Sequence, residues 1–201
     1  MPKRDAKQDI TKAAAICFAR NGVDKTSIDE VAREMGASKG KVYHWFRTKG
    51  ELLLSVRQQS ILSVMERVKP IADTPAPTTE RFLDMAQAHV HGILDDLPFH
   101  RVVVENLRSG LAGATTEHER AFLTEIVALQ ASYEDLFREV ISAGQKDGSF
   151  RQQSTSVAVN SIIVLLNAPI FWYQPRPEET ETQREDIAKQ VARMALGAIS
   201  I

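Results

Sequence analysis

The residue types that could do chemistry are concentrated in one short segment near the N-terminus. Lys39, Lys41 and Lys49 supply three cations, and Tyr43 and His44 place flat polar rings beside them. Cations bind phosphate oxygens, and planar polar side chains can contact base edges, so the combination suits a nucleic acid. A lysine-rich triplet by itself is more often a solvated helix face, so its meaning depends on the elements that hold it.

Two short helices and a tight turn are predicted to position these side chains. Ser27 can cap the first helix, and Glu30 stands three residues later, as in a capping box. Gly36 suits a chain reversal, and Ser38 can cap a second helix, Lys39 to about Trp45. Two helices joined by a three-residue turn form a helix-turn-helix.

The second helix is predicted to turn its polar residues outward, because Val42 and Phe46 are four residues apart and face inward. A glycine at position 40 costs about 1 kcal/mol relative to alanine in a helix, which is acceptable where the backbone approaches another molecule closely. We predict that one set of residues contacts base edges and another contacts phosphates. The base set is Lys39, Gly40, Tyr43 and His44, and the phosphate set is Thr26, Ser27, Ser38, Lys41 and Lys49.

A longer pattern surrounds these residues, with rigid spacing from about Ile10 to Leu54. Its members are Thr26-Ser27, Val31-Ala32, Gly36, Ser38-Lys39-Gly40, Tyr43, Trp45-Phe46, Lys49 and Leu52-Leu53. The segment closely resembles the DNA-binding domain of TetR-family transcriptional repressors. It departs from the family pattern at Met35, where a small residue is common, and at Gly50, where an acidic residue is more usual. The resemblance implies an all-α protein of about nine helices, with an N-terminal three-helix head and a helical ligand-binding and dimerisation body.

Charge also divides the chain into two parts. The formal net charge is −1, but residues 1–60 carry +5 and residues 61–201 carry −6. A basic head on an acidic body indicates two modules, and we predict domains at 1–55 and 56–201. The single cysteine, Cys17, allows no intrachain disulfide, and no apolar run of signal-peptide length follows the N-terminus, so a cytoplasmic protein is expected.

The body is predicted to contain helices at about 79–97, 99–113, 117–143, 153–173 and 178–199, after a loop that begins at Pro70. The 153–173 helix is apolar on nearly every side but too interrupted for a membrane span, and a partner subunit is its natural cover. The resemblance implies that the last two helices form a dimer interface. The residues predicted to meet a second copy are Val159, Ile162, Ile163, Leu166, Val191, Met194 and Ala198.

The segment Asn167 to Pro175 carries an Asn-x-x-x-x-Trp-Tyr-x-Pro pattern. It resembles the ligand domains of TetR-type regulators of fatty-acid and sterol breakdown, which implies an acyl-CoA thioester as effector. The alternative is a regulator of efflux or detoxification that answers an apolar ligand without CoA. The predicted apolar lining is Phe82, Met85, Phe122, Ile126 and Phe171, and the predicted cations for the CoA phosphates are Arg101, Arg108, Arg120 and Arg138.

The sequence contains little that indicates an enzyme. His89 and His91 are two residues apart on a predicted helix and point to different faces, so they make a poor metal site. No Walker loop, dinucleotide fingerprint or nucleophile-elbow motif is present. We therefore expect no catalytic residue, no metal and no cofactor; a DNA-binding protein without any ligand stays open as a third class.

Overall fold

A computed structural model describes residues 6–107 and 116–201, and within those residues the chain is all-α, as predicted. No β-strand forms there apart from a single bridge between Phe150 and Ser200. The helices are α1 Ala6–Asn21, α2 Ile28–Glu34, α3 Lys39–Trp45, α4 Lys49–Ala72, α5 Thr78–Asp95, α6 Leu97–Leu107, α7 Glu117–Asp147, α8 Thr155–Leu166, α9 Pro169–Trp172 and α10 Glu181–Ile199.

The chain divides into two compact units, which differ from the predicted domains at 1–55 and 56–201. The first unit comprises residues 1–61 and 97–129, and the second comprises 62–96 and 130–201. In the first unit, α6 packs on α1, so residues from beyond position 55 belong with the N-terminal helices. Two helices, α4 and α7, therefore begin in the first unit and end in the second.

The first unit is built around small and aromatic side chains of α1. Ala14 and Cys17 are fully buried there, together with Phe18, and α6 adds Phe99 and Val102 to the same cluster. Small residues let the backbones of α1, α2 and α6 approach closely, so a head of short helices still buries a continuous core. The core supports α3 through Val42 and Phe46, as predicted from their spacing.

The second unit has an aromatic centre. Phe82 of α5 makes edge-to-face contacts with Phe137 of α7 at 6.2 Å and with Phe150 at 5.7 Å between ring centroids. Such geometry places the positive ring edge against the negative face and adds to the burial of apolar area. The last helix, α10, packs along α5 and against α8 and closes this core.

Two helix ends differ from those expected, and a third lies outside the described residues. Pro70 lies inside α4, which continues to Ala72. Gly144 lies inside α7, and Phe150 explains why a glycine is there, since a Cβ on Gly144 would lie 2.2 Å from the Phe150 ring. The predicted end of α6 at Gly113 lies outside the described residues.

The predicted 153–173 helix is divided in two. Among the described residues, Thr155–Trp172 is the one stretch long and apolar enough to cross a membrane by length and composition, and 33% of it is buried. The structure interrupts it after Leu166, and Pro169 then begins the single turn of α9. With 12 residues, α8 is shorter than the ~20 that a bilayer requires.

Candidate functional site

The outer face of α3 carries the predicted base-contacting residues. Lys39, Gly40 and His44 are exposed, and Tyr43 has 45% of its surface accessible. A Cβ added to Gly40 would meet no atom nearer than the Ser38 hydroxyl at 3.9 Å, so the open surface at this position extends to the backbone. The structure therefore brings these four residues together on one side of a seven-residue helix.

Both helices of the motif start at the predicted caps. Ser27 and Glu30 form a reciprocal capping box, in which the Ser27 N–H donates to the Glu30 carboxylate at 2.7 Å and the Glu30 N–H donates to the Ser27 hydroxyl at 3.2 Å. The hydrogen bonds from Ser27 lower the pKa of the Glu30 carboxyl. Ser38 caps α3 by accepting from the Lys41 N–H at 3.4 Å. Ser27 and Ser38 are exposed, and their phosphate contacts stay predictions.

One cation of the α3 face is held by an acidic neighbour. The Lys39 ammonium donates to Asp29 of α2 at 3.0 Å and lies 5.7 Å from the centre of the Tyr43 ring. The hydrogen bond to Asp29 raises the pKa of Lys39, so the side chain stays charged at neutral pH. Any anion or base that engages the Lys39 ammonium must compete with Asp29.

Two predicted phosphate contacts are corrected by the structure. Thr26 is 1% exposed, and its hydroxyl donates inward to the carbonyls of Gly22 and Cys17 at 2.8 and 3.3 Å. Lys49 donates to the carbonyl oxygens of Val23, Asp24 and Thr26 at 2.9, 3.2 and 3.2 Å, which uses all three donors of its ammonium. Both side chains fasten the loop between α1 and α2, and neither faces a ligand.

Two exposed residues beside α3 were not predicted as contacts. Trp45 is 42% exposed and packs edge-to-face against His44, with 5.5 Å between ring centroids. Arg47 is exposed in the turn that follows. The signal for both was present in the sequence, because Val42 and Phe46 already fix which positions face inward. They extend the candidate surface beyond the end of the helix.

Four of the seven predicted dimer residues are buried within their own unit. Val159 and Ile162 are 1% exposed, Leu166 is fully buried and Val191 is 7% exposed. Side chains inside their own core, such as those of Val159, Ile162 and Leu166, cannot also meet a partner, so these three assignments are wrong, whereas Val191 lines a surface groove and stays a prediction. Of the other three, Ile163 is half-buried, Ala198 is exposed and Met194 is 64% exposed.

The apolar surface that the last helices leave exposed is formed by neighbours of the predicted dimer residues. Val157 and Val164 are seven residues apart on α8 and are 63% and 69% exposed, so they share one stripe. With Phe171, Trp172 and Met194 they form what we call the α8–α10 face. A groove of about 350 Å³ runs within it, lined by Leu165, Ala168, Trp172, Ile187, Gln190, Val191 and Met194. An exposed apolar patch of this kind marks an interaction surface.

The predicted ligand residues are divided between the two units. Phe122, Ile126, Arg101 and Arg120 belong to the first unit, and Phe82, Met85, Phe171 and Arg138 to the second. Phe82, Met85 and Ile126 are fully buried, whereas Phe171 is 69% exposed and does not line an interior cavity as predicted. Arg138 is paired with Asp135 at 3.0 Å. Arg108 lies outside the described residues.

A buried polar chain runs through the aromatic centre of the second unit. Tyr133 lies 2.5 Å from Nδ1 of His89, the two rings are stacked, and Nε2 of His89 lies 3.3 Å from the side-chain oxygen of Asn167. Burial lowers the pKa of His89 to about 4, so the ring is neutral at physiological pH. With Nε2 donating to Asn167, Nδ1 accepts the Tyr133 hydroxyl proton, and both ring nitrogens are satisfied. His89, considered from the sequence only as a poor metal ligand, is thus the centre of a network that joins α5, α7 and the C-cap of α8.

The Asn-x-x-x-x-Trp-Tyr-x-Pro segment is largely occupied by internal contacts. Asn167 holds His89, and Tyr173 is 3% exposed and donates to the Glu179 carboxylate. Burial, and then the bond to Glu179, raise the pKa of Tyr173 to about 12. Trp172, by contrast, is 53% exposed and lines the α8–α10 groove. Two residues of the segment whose resemblance implies a CoA ligand, Asn167 and Tyr173, therefore stabilise the fold through internal contacts.

Comparison with protein families gives two matches that together span most of the chain. Residues 10–56 match the family described as bacterial regulatory proteins, tetR family. Residues 75–199, more than half of the chain, match the family described as tetracyclin repressor-like, C-terminal domain. The first match covers the capped helices and the α3 face.

Similar proteins include both activators and repressors. The chain is 22% identical over 200 residues to the HTH-type transcriptional activator FasR of Mycolicibacterium smegmatis, covering 100% of this chain and 85% of FasR. It is 22% identical over 203 residues to the HTH-type transcriptional repressor KstR2 of Rhodococcus jostii, covering 98% and 93%. The crystal structure of AibR in complex with isovaleryl coenzyme A and operator DNA matches with a TM-score of 0.74 and 22% identity over 98% of each chain, a likeness of fold.

Proposed function

This chain belongs to the TetR family of bacterial regulatory proteins, and we propose that it is a repressor that leaves a palindromic DNA site when an apolar small molecule binds. The observation that carries the DNA part is the exposed face of α3, where Lys39, Lys41, Tyr43 and His44 lie beside Trp45. In this proposal residues 1–55 read DNA, residues 56–201 bind the effector and a second copy, and the protein works in the cytoplasm.

The proposed assembly is a homodimer joined through the α8–α10 face. Two α3 helices would then enter successive major grooves, roughly 34–36 Å apart, and twofold symmetry would explain a palindromic site. The support is the amount of apolar surface that α8, α9 and α10 leave exposed, including Val164, Phe171 and Met194 at 64% or more. Membership of a family of dimeric regulators supports the same arrangement.

The proposed effector is an acyl-CoA thioester. Support comes from AibR, whose structure holds isovaleryl coenzyme A and operator DNA together. Within the second unit, the apolar residues Phe82 and Met85 would suit an acyl tail, and Arg138 would pair with a phosphate. A ligand that moves a repressor from mostly bound to mostly free must prefer the released state by several kcal/mol, so tail and head should both contribute.

The DNA part is tested by selection from random duplexes, followed by two variants that act differently. Lys41→Ala should weaken binding to all sequences and lower the slope of log K against log salt by about one, since one phosphate contact is lost. Tyr43→Ala should reduce the preference for the selected duplex over random DNA, since a base contact is lost. A wild-type protein that selects no sequence would refute the proposed function.

The effector part is tested by release of the selected duplex with fatty acids and their CoA esters at matched chain length. The esters should act at lower concentration than the acids, because only they carry phosphates. Equal potency would contradict the CoA assignment and favour an apolar ligand of another class. A reporter gene behind the selected site decides between repression and activation, since FasR and KstR2 act in opposite senses.

A further inference from the structure

The first turn of α7 touches the first turn of α4, both within the first unit. Thr48 donates its hydroxyl proton to Glu119 Oε1 at 2.5 Å, and the backbone N–H of Thr116 donates to Glu119 Oε2 at 3.1 Å. Glu119 is 1% exposed. A carboxylate loses a large hydration energy on burial, so it persists there only because donors hold both oxygens.

Thr48 joins this carboxylate to the end of α3, the helix proposed to read DNA and called the recognition helix below. Its hydroxyl also accepts from the Glu51 N–H at 2.9 Å and thereby caps α4, which leaves its single proton for Glu119. The Glu51 carboxylate in turn accepts from the backbone N–H of Arg47 at 2.7 Å, and its other oxygen lies 3.6 Å from His118. The turn between α3 and α4 is therefore held from both ends by residues that α7 contacts.

Gly50 makes room for the contact. A Cβ at this position would lie 2.5 Å from Oε1 and 3.0 Å from Cδ of Glu119, far inside normal contact. Position 50 is one of the two places where the sequence departs from the family pattern. The structure gives that departure a physical cause, because the bare backbone of Gly50 is the surface on which the Glu119 carboxylate rests.

We propose that Glu119 is a positioning residue for DNA recognition: by holding Thr48 against the start of α4, it fixes the α3–α4 turn and hence the direction of the recognition helix. The inference rests on the proposed DNA-binding function.

The experiment measures affinity of the full-length protein for its selected duplex and for random DNA. Glu119→Ala should bind the selected duplex about tenfold more weakly, the effect of one charge-assisted hydrogen bond. Binding to random DNA should not fall, because no cation is lost. Glu119→Gln should lose less than Glu119→Ala, since its amide oxygen can still accept the Thr48 proton although its NH2 group cannot accept from the Thr116 N–H. Glu117→Ala is the matched control, as it removes an exposed carboxylate from the same turn.

A double-mutant cycle with Gly50 tests for direct contact. Gly50→Ala alone should weaken selective binding because its methyl group displaces Glu119, but it should cause no further loss in the Glu119→Ala background, where the clash is absent. Strictly additive losses would overturn the inference, as would a Glu119→Ala variant as selective as wild type.

A second pair of variants tests the same contact in case one variant fails to fold. If Glu119→Ala does not fold, Thr48→Val and Thr48→Ser take its place: the valine variant lacks the hydroxyl and should lose selectivity about tenfold, whereas the serine variant retains it. Equal selectivity of the two would overturn the inference. A wild-type protein without any sequence preference refutes the proposed function itself, so the two failures are distinguishable.

Discussion

Lys49 shows how a residue typical of a DNA-contact motif can serve the fold instead. Its ammonium donates to three backbone carbonyls of the loop between α1 and α2. Buried or half-buried carbonyls need donors, and an ammonium supplies three in a compact group. The residue thus fixes where α2 begins relative to α4, and we expect it to influence DNA binding through position alone.

Lys49→Ala and Lys41→Ala are therefore expected to differ in salt dependence. Lys49→Ala should lower stability by about 1–3 kcal/mol, because carbonyl acceptors lose their donor, and should weaken DNA binding with the salt slope unchanged. Lys41→Ala should leave stability within about 0.5 kcal/mol and lower the slope by about one. Binding titrations at several salt concentrations and urea unfolding measure both. A lowered slope for Lys49→Ala would restore the phosphate contact first predicted for it.

His89 makes stability depend on pH. Its pKa is about 4 in the folded protein and 6.5 in an ordinary environment, because burial disfavours the charged ring. Unfolded chains then bind the proton more readily between these values, so the stabilising contribution is complete above pH 6.5 and is lost as pH falls toward 4. A protonated ring would also be unable to accept the Tyr133 hydroxyl proton, which removes one link of the buried chain.

The measurable consequence is a loss of about 3 kcal/mol in unfolding free energy between pH 6.5 and 4, from a shift of roughly 2.5 pKa units. His89→Gln does not titrate and should lose correspondingly less over the same interval. Urea unfolding at half-unit steps of pH provides the comparison. Parallel curves for the two proteins would show that His89 is not the titrating group.

At the scale of helices, α7 shows that a glycine can continue a helix when packing requires it. Gly144 was expected to end α7, but the helix runs to Asp147 and turns at Gly148, whose φ is +83°. The Phe150 ring folds back over Gly144, where a side chain would have blocked it. The cost of glycine in a helix, about 1 kcal/mol, is offset by the burial of an aromatic ring.

Two helical glycines should therefore respond in opposite directions to alanine. Gly144→Ala should lower the unfolding free energy by about 1–3 kcal/mol, since its methyl group collides with Phe150. Gly197→Ala in α10, where an added Cβ meets nothing within 4 Å, should raise it by up to about 1 kcal/mol. Chemical denaturation measures the unfolding free energies of both variants. If Gly144→Ala is neutral, Phe150 does not pack in this place.

At the scale of the whole molecule, we expect the α8–α10 face to determine assembly. The residues of α8 that pack inward, such as Val159 and Ile162, alternate with exposed Val157 and Val164. A helix that is apolar all round needs cover all round, and its own unit supplies only one side. In the proposed dimer, a second copy that presents the same patch would complete the cover with twofold symmetry.

Val164→Asp should accordingly produce monomers, since a charge buried in a dimer interface has no partner. DNA affinity should fall steeply, because a monomer occupies one half-site. Val127→Asp is the matched control, with an equally large side chain 53% exposed on α7 in the other unit. Sedimentation velocity at micromolar concentration reads out the result. A dimeric Val164→Asp, or a monomeric wild type, would contradict this interface.

The sequence alone determined the parts of this protein that depend on near neighbours in the chain. The capping box of Ser27 with Glu30, the cap at Ser38 and the outward face of α3 were all predictable, because helix caps and helical periodicity involve residues within a few positions. The all-α class followed from the same local signals, repeated along the body.

Only the tertiary structure decided what each apolar or polar side chain meets. Periodicity shows that α8 is apolar, but which side faces its own core depends on α5 and α10. The role of Lys49 depends on carbonyls more than twenty residues away, and that of Gly50 on Glu119, which lies on α7. Such contacts leave no regular spacing in the sequence, because packing joins residues by distance in space and not by position in the chain.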